Sequence, residues 1–387
     1  MNGKIHPALL PAGLQDTLPP DAEFESEVTE GLISAFAKLG YERVKPPLIE
    51  FEENLISGSG AATAAQTFRL MDPVSQRMLG LRADMTLQIA RIATTRLADL
   101  PRPLRLSYAG QVLRVVGSAL RSERQFGQVG AELIGSASCR ADAEVISMAA
   151  NALKSLGVSG LSIDLGLPMV MSGAIEASGL DNAATIEALR DGLGQKDAAA
   201  IAAIKGIDTD MFLGLLGATG PAGQALQRLQ ALELPADAKL QIEGLSEVIT
   251  AVTNNAPDLK LTIDPVEIRG YEYHEGVTFS LFAESLSGEL GRGGRYRTGN
   301  GGGGGGEPST GFTLFVDALL RALPKPHRRD RVFLPAGLAS ADAERLRDDG
   351  WATIQAMDEA DDGKAEARRL ECTHIFEGGT IHALKQD

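Results

Sequence analysis

The sequence predicts an α+β fold: an antiparallel sheet flanked by helices, interrupted by a helical insertion and followed by a small α/β unit. Three features of the 387-residue chain predict it. The strand-like pieces PLRLSYAGQVLRV, RQFGQVGAELIG and LSIDLGL follow one another closely, and sequential strands on short connections favour antiparallel pairing over a wound βαβ sheet. From about residue 169 to 255 the texture turns to alanine, leucine and glycine at helical spacing. From about residue 330, short apolar runs alternate with short charged ones, as in RVFLPAG, DAERLRDDG and WATIQAM. The expected units are therefore 1–325, carrying the insertion, and 330–387.

Along the chain, Phe24, Val28, Leu32, Phe36 and Leu39 recur at helical spacing, with Asp21 as N-cap and Gly40 ending the helix. YERVKPPLIEF reads as one edge strand, because Pro46 and Pro47 cannot donate to a central ladder. A second helix starts at Asp84 in ADMTLQIARIATTRL, and ADAEVISMAANALKSLG is a third, amphipathic one. KLTIDPVEIRG and GVTFSLFAE return to strands. The glycines of GRGGRY read as a tight turn, and Gly301 to Gly306 as a flexible loop. GFTLFVDALLRAL runs from a strand or turn into a helix.

At 44% hydrophobic and 23% charged residues the chain can bury a substantial core. A net charge of −14 opposes binding to phosphate backbones. The one dense basic run, KPHRRDR, lies beside prolines and reads as a solvated linker. Cys139 and Cys372 stand far apart, and the five histidines form no ligand cluster, so neither a disulfide framework nor a metal site is expected. MNGKIHPALLPAG is too short and too broken by prolines for a signal peptide, and no run of about 18 apolar residues appears. A soluble, cytoplasmic protein with no membrane association is expected.

Six segments then acquire meaning together. LPAGLQDTLPPDA, YERVKPPLIEF, LRADMT, the stretch Gln111 to Gly135, EIRGYEYHEG and LGRGGRYRT occur in that order. They resemble the core of a class II aminoacyl-tRNA synthetase and, in detail, of the histidyl-tRNA synthetases, over most of residues 8 to 323. YERVKPPLIEF is similar to motif 1, the dimer element of that family, and Gln111 to Gly135 to motif 2 with its loop.

The resemblance assigns roles residue by residue. Arg114 matches the motif 2 arginine on the α-phosphate of ATP, and Arg124 with Phe126 matches the end of the loop. The polar groups that begin the loop are replaced by Val115, Val116 and Gly117. In motif 3, read here as GFTLFVDAL, Phe315 stands for a glycine and Ala318 for the arginine that binds phosphate. Replacing such a guanidinium by methyl removes on the order of 2–4 kcal/mol of transition-state stabilisation. The resemblance thus implies a lost ATP site and no adenylation, with no cofactor.

The amino-acid pocket is less eroded. Asp84, Thr86 and Gln128 match the residues that hold the amino group, Glu132 the one facing the imidazole, and Arg269 the one near the carboxylate. Tyr273 and His274 fall in the segment peculiar to the histidine enzymes, with His274 in place of a tyrosine. These residues and Arg114 make up the candidate histidine pocket. A second reading stays open: Arg114, Arg269, Glu132 and Asp84 as an inherited ion-pair network, costly to break and without a ligand.

A synthetase-like core without the phosphate arginine, RGYEYH, LRADMT and a short tail resemble one further family, the regulatory subunits of ATP phosphoribosyltransferase, which catalyses the first step of histidine biosynthesis. Membership implies no catalysis, assembly with a short-form catalytic subunit, sensitivity to L-histidine, a self-dimer through motif 1, and no tRNA. The competing readings are a divergent histidyl-tRNA synthetase or amino-acid ligase, and an RNA-binding sensor.

Overall fold

The computed structural model describes residues 9–56, 64–117, 122–267, 274–298, 306–326, 329–359 and 361–384. The chain divides into two compact units, Met1–Pro324 and Lys325–Asp387. In the first, α1 (Asp21–Ala37) buries Val28, Leu32, Ile33 and Phe36 along one stripe. Its cap is Pro20, without a side-chain hydrogen bond, so Asp21 is the first helical residue rather than the N-cap; there its carboxylate still favours the positive end of the helix dipole. Gly40 takes φ 82° and turns the chain into the sheet.

YERVKPPLIEF is not one strand. It divides into β1 (Glu42–Arg43) and β2 (Ile49–Phe51), which belong to different sheets. The two prolines between them break the ladder and redirect the chain. After α2 (Glu52–Ile56), β3 (Arg69–Met71) and β4 (Met78–Leu81) complete a three-stranded antiparallel sheet in the order β2-β4-β3. Next, α3 (Thr86–Thr95) starts two residues after the expected Asp84, whose Oδ1 accepts from the Thr86 N–H at 2.8 Å.

The main sheet is built from β5 (Leu104–Leu113) and β6 (Gln125–Ile134), paired antiparallel along their full length. α4 (Cys139–Ser155), capped by Ser138, lies between them and β7 (Leu161–Gly166) in sequence. The stretch after β7 is helical: α5 (Pro168–Ala177), α6 (Ala183–Gly194), α7 (Ala198–Ala203), α8 (Thr209–Gly217), the short β8 (Gly220–Pro221), α9 (Ala222–Gln230) and α10 (Ala236–Asn255). Then come β9 (Lys260–Asp264), β10 (His274–Ala283), β11 (Glu289–Thr298), β12 (Glu307–Phe315) and α11 (Val316–Ala322).

Among the described residues these strands form a nine-stranded sheet in the order β1-β5-β6-β12-β11-β10-β7-β9-β8. The expected antiparallel pairing holds through its middle, from β5 to β7. The β1/β5 and β7/β9 pairs are parallel, so the whole is mixed. Both parallel pairs join strands separated by long connections, the second by the whole helical stretch, which is the crossover that parallel pairing needs.

GRGGRY is not a turn either: Gly291, Gly293 and Gly294 lie inside β11. A Cβ on Gly293 would meet the Gly311 carbonyl at 2.2 Å, and one on Gly291 the Thr313 carbonyl at 2.4 Å. Glycine is therefore demanded by close backbone approach to β12. The polyglycine expectation lies outside the described residues except at Gly306.

The second unit holds β13 (Arg331–Leu334), α12 (Ser340–Asp348), β14 (Ala352–Gln355), α13 (Gly363–Arg369), β15 (His374–Glu377) and β16 (Thr380–Ala383). Its sheet runs β14-β13-β15-β16, parallel except for the last pair. Val332 and Leu334 pack with Leu346 in one cluster, whereas Phe333 packs with Ala367 and Ile375 in another. That alternation is how a central strand covered on both faces spends its side chains. No helix among the described residues is long and apolar enough to cross a membrane.

Candidate functional site

One face of the main sheet forms the floor of a cavity of about 250 Å³. Paired residues on neighbouring strands point to the same face. The register therefore lays Glu132, Gly311, Gly294, Thr278, Gly166 and Asp264 in one row across six strands, all on the cavity wall. Three glycines in that row leave the floor bare between Glu132 at one end and Asp264 at the other.

Glu132 is buried, with Oε1 accepting from the Tyr108 hydroxyl at 3.2 Å and Oε2 from the Tyr296 hydroxyl at 2.8 Å. Burial pushes its carboxyl up to about 8; the two tyrosine bonds pull down against this, and the charge of Asp84 adds to the rise. Tyr108 is itself raised well above the usual phenol, by burial first and then by Glu132 and Asp84. It also lies 2.7 Å from Thr313 Oγ1 and 3.4 Å from Thr86 Oγ1. Asp84 Oδ2 accepts from Gln128 Nε2 at 2.9 Å, while Gln128 Oε1 accepts from the Met85 N–H at 3.0 Å. The turn that opens α3 is thus tied to β6 through a side chain buried behind the wall.

Of the expected pocket residues, Asp84, Thr86, Glu132 and His274 come together on the cavity wall. Gln128 stands behind Asp84 and orients it. Arg114 is not on the wall: its Nε donates to the Ala83 carbonyl at 3.4 Å and its guanidinium lies 5.0 Å from the centre of the Phe126 ring. Arg269 and Tyr273 lie outside the described residues. Among the described residues neither Asp84 nor Glu132 pairs with an arginine, and Arg269, the other arginine of the expected ion-pair network, lies outside them. Tyrosine hydroxyls and an amide reach both carboxylates, and Arg114 is turned onto an aromatic face instead.

Of the residues that the resemblance sets on the nucleotide side, Phe315 also lines the cavity. Phe315 is buried and meets Phe126 edge-on, with ring centres 6.0 Å apart. Ala318 is buried in the core at α11.

Sequence reasoning missed Tyr108, Tyr296 and Arg292. Tyr296 stood in the quoted LGRGGRYRT, and period-two alternation from Gly294 puts both Arg292 and Tyr296 on one face. Tyr108 carries no local signal and is placed only by its register opposite Gly130. Also missed was the wall's acidity: Asp164, Asp264, Glu267 and Glu289 join Asp84 and Glu132, against Arg292 and His274. Such a wall favours a ligand that carries positive charge.

Comparison with known proteins agrees with this framework. Residues 13–319 match the family described as Histidyl-tRNA synthetase. A Rhodospirillum centenum protein called ATP phosphoribosyltransferase regulatory subunit is 54% identical over 378 residues, 98% of this chain and 97% of the relative. A Paramagnetospirillum magneticum protein of the same name is 54% identical over 374 residues, 97% of each chain. The crystal structure of an ATP phosphoribosyltransferase regulatory subunit/histidyl-tRNA synthetase from Bacillus halodurans shares the fold, with a TM-score of 0.80 at 24% identity over 95% of this chain and 97% of that one. With a synthetase family match over residues 13–319 and near-full-length relatives of one name, the chain belongs to the ATP phosphoribosyltransferase regulatory subunits, on a histidyl-tRNA synthetase-like framework.

Proposed function

We propose that this chain is a non-catalytic subunit that assembles with a short-form ATP phosphoribosyltransferase catalytic chain, enables the first step of histidine biosynthesis, and makes that step responsive to L-histidine. One observation carries the reading: the cavity wall brings together Asp84, Thr86, Glu132 and His274, whereas Phe315 on the same wall packs edge-on against Phe126 where the resemblance expects a glycine beside the nucleotide. Without a guanidinium at Ala318, adenylation lacks one of the fixed cations that would offset the charge that builds on the phosphates. Synthetase chemistry is accordingly lost.

In this reading the ligand's ammonium lies at Asp84 and Thr86 and its imidazole at Glu132. A carboxyl raised to about 8 still holds its proton at pH 7, so it donates to a neutral imidazole nitrogen. Feedback then needs only that L-histidine bind differently to two states of the assembly, and a coupling of about 1–3 kcal/mol suffices. A self-dimer through the motif 1 region is supported by the three-stranded sheet, which exposes Ile49, Leu70, Met71 and Met78. The net charge of −14 supports the absence of tRNA, and the biosynthetic role a cytoplasmic location.

The test is to mix the purified chain with a short-form catalytic chain and assay phosphoribosyl transfer. Co-purification, activation on mixing and inhibition by L-histidine are expected. Absence of activation would overturn the proposal, and histidine-dependent ATP–pyrophosphate exchange by this chain alone would favour a divergent synthetase.

A further inference from the structure

The glycines of the cavity floor leave room, and side chains from other positions use it. The Glu132 carboxylate lies over Gly311, and a Cβ on Gly294 would fall 2.7 Å from Cδ2 and 3.1 Å from Nε2 of His274. Gly311 and Gly294 are paired directly across β12 and β11, and positions opposite each other on one face lie about 5 Å apart. The His274 imidazole therefore rests on the cavity wall one cross-strand step from the Glu132 carboxylate. Tyr296 completes the group: it is paired with His274 across the strands, and its hydroxyl donates to Glu132 Oε2 at 2.8 Å.

We infer that His274 is a resident imidazole: a ring of the chain itself covers the place beside Glu132 that a ligand's imidazole takes, and ligand binding displaces it; this rests on the amino-acid reading proposed above. The other approaches to Glu132 are already used. Tyr108 and Tyr296 bond its two oxygens, and a Cβ on Gly130 would meet the Tyr108 ring at 2.4 Å. Along the row the next position is Gly294, where His274 lies, and two rings cannot share the strip over one glycine. Both rings carry the same donor and acceptor nitrogens, so what holds one is suited to hold the other.

His274 can leave without disturbing the sheet. It is the first residue of β10, and the register shifts between it and Thr278, whereas Thr278 to Ala283 pair continuously with β7. Swinging the ring off the floor leaves that ladder zipped. A resident of this kind lowers the apparent affinity in proportion to the fraction of molecules it leaves open. It thereby sets the concentration at which the site responds, and it favours a ligand whose own ring can replace the one displaced. The sign of its effect is opposite to that of a ligand contact, since removing a contact weakens binding and removing a resident strengthens it.

Calorimetric titration of the full chain with L-histidine and with imidazole alone tests this. His274→Ala should bind L-histidine about tenfold more tightly than the wild type, the gain expected if the ring covers the strip in about nine molecules of ten. The variant should also take up free imidazole, which L-histidine then displaces, whereas the wild type takes up none. His274→Gln, polar but without a ring, should shift L-histidine affinity in the same direction, and it replaces the alanine variant if that one fails to fold. Weaker or equal binding of L-histidine by a folded variant would make His274 a ligand contact or a bystander and overturn the resident reading, while the amino-acid cavity stands. If neither wild type nor variant binds L-histidine, the amino-acid reading fails; imidazole uptake by the variant alone would then still support a resident ring, and its absence would overturn that too.

Discussion

Gly311 lies directly beneath the Glu132 carboxylate: a Cβ on Gly311 would fall 1.8 Å from Glu132 Oε2 and 2.6 Å from the Ala131 carbonyl. The Glu132 side chain can therefore lie flat on the sheet only because its cross-strand neighbour has none. Gly311→Ala must push Glu132 off its tyrosine partners or spread β12 from β6. Overpacking of this kind costs about 1–3 kcal/mol. The variant should show a lower urea midpoint and weaker L-histidine binding together. Unchanged affinity in a folded variant would mean that Glu132 does not contact the ligand.

Glu132 also makes stability depend on pH in a direction opposite to that of most carboxylates. Its folded value of about 8 stands above the ordinary glutamate value, so between the two the folded state binds more protons than the unfolded chain. Its contribution is complete below the unfolded value and is lost as pH rises toward 8. Glu132→Gln removes this term, since the amide keeps a neutral, buried shape. The stability of the variant relative to wild type should increase by up to about 1.4 kcal/mol per pH unit across that window. Parallel thermal melts at pH 5, 6, 7 and 8 would reveal it, and a constant difference would contradict a protonated Glu132.

Arg295 fastens β11 to the start of α4 by donating to Asp142 and to the carbonyls of Ser136 and Ser138, and Asp142 is 4% exposed in that pair. Burial holds Asp142 above the usual carboxylate range while Arg295 pulls it down. Arg295→Ala leaves a buried carboxylate and two carbonyls without their donor, a loss of about 3–5 kcal/mol. Arg295→Lys should recover only part, because one ammonium cannot reproduce the fork. Equilibrium urea unfolding checks both, and a loss below about 1 kcal/mol, typical of exposed pairs, would reduce Arg295 to a surface contact.

Much of this was legible in the chain. The stripe Val28, Leu32 and Phe36 is α1, and RQFGQVGAELIG is β6 with Gln128 and Glu132 on one face. What failed has a common cause, namely that local patterns do not state strand partners. Pro46 and Pro47 were correctly read as excluded from a central ladder, yet only pairing reveals that β1 and β2 serve two sheets. The glycines of GRGGRY were read as punctuation, because a turn is what glycine most often supplies locally. Here they are needed by carbonyls on β12, more than ten residues away in sequence. The resemblance sets Arg114 in the pocket, and its guanidinium lies 5.0 Å from the Phe126 ring centre, a placement that sequence spacing does not state. Tyr296 and Tyr108 were overlooked because their importance lies in what stands across the strand from them.

The contact between Phe315 and Phe126 leads to a test of whether nucleotide is excluded, and by what. Phe315 is almost fully buried, so Phe315→Ala should cost about 3–5 kcal/mol through lost contacts and the cavity left behind. It opens one edge of the Phe126 ring, where a base could stack, but supplies no positive charge. Ala318 stays in the core, and Arg114 remains over Phe126. If the missing guanidinium is decisive, Mg–ATP should bind neither wild type nor variant in a calorimetric titration, although the variant still folds and still binds L-histidine. Capture of Mg–ATP by Phe315→Ala alone would mean that a single aromatic ring had closed an otherwise competent phosphate site.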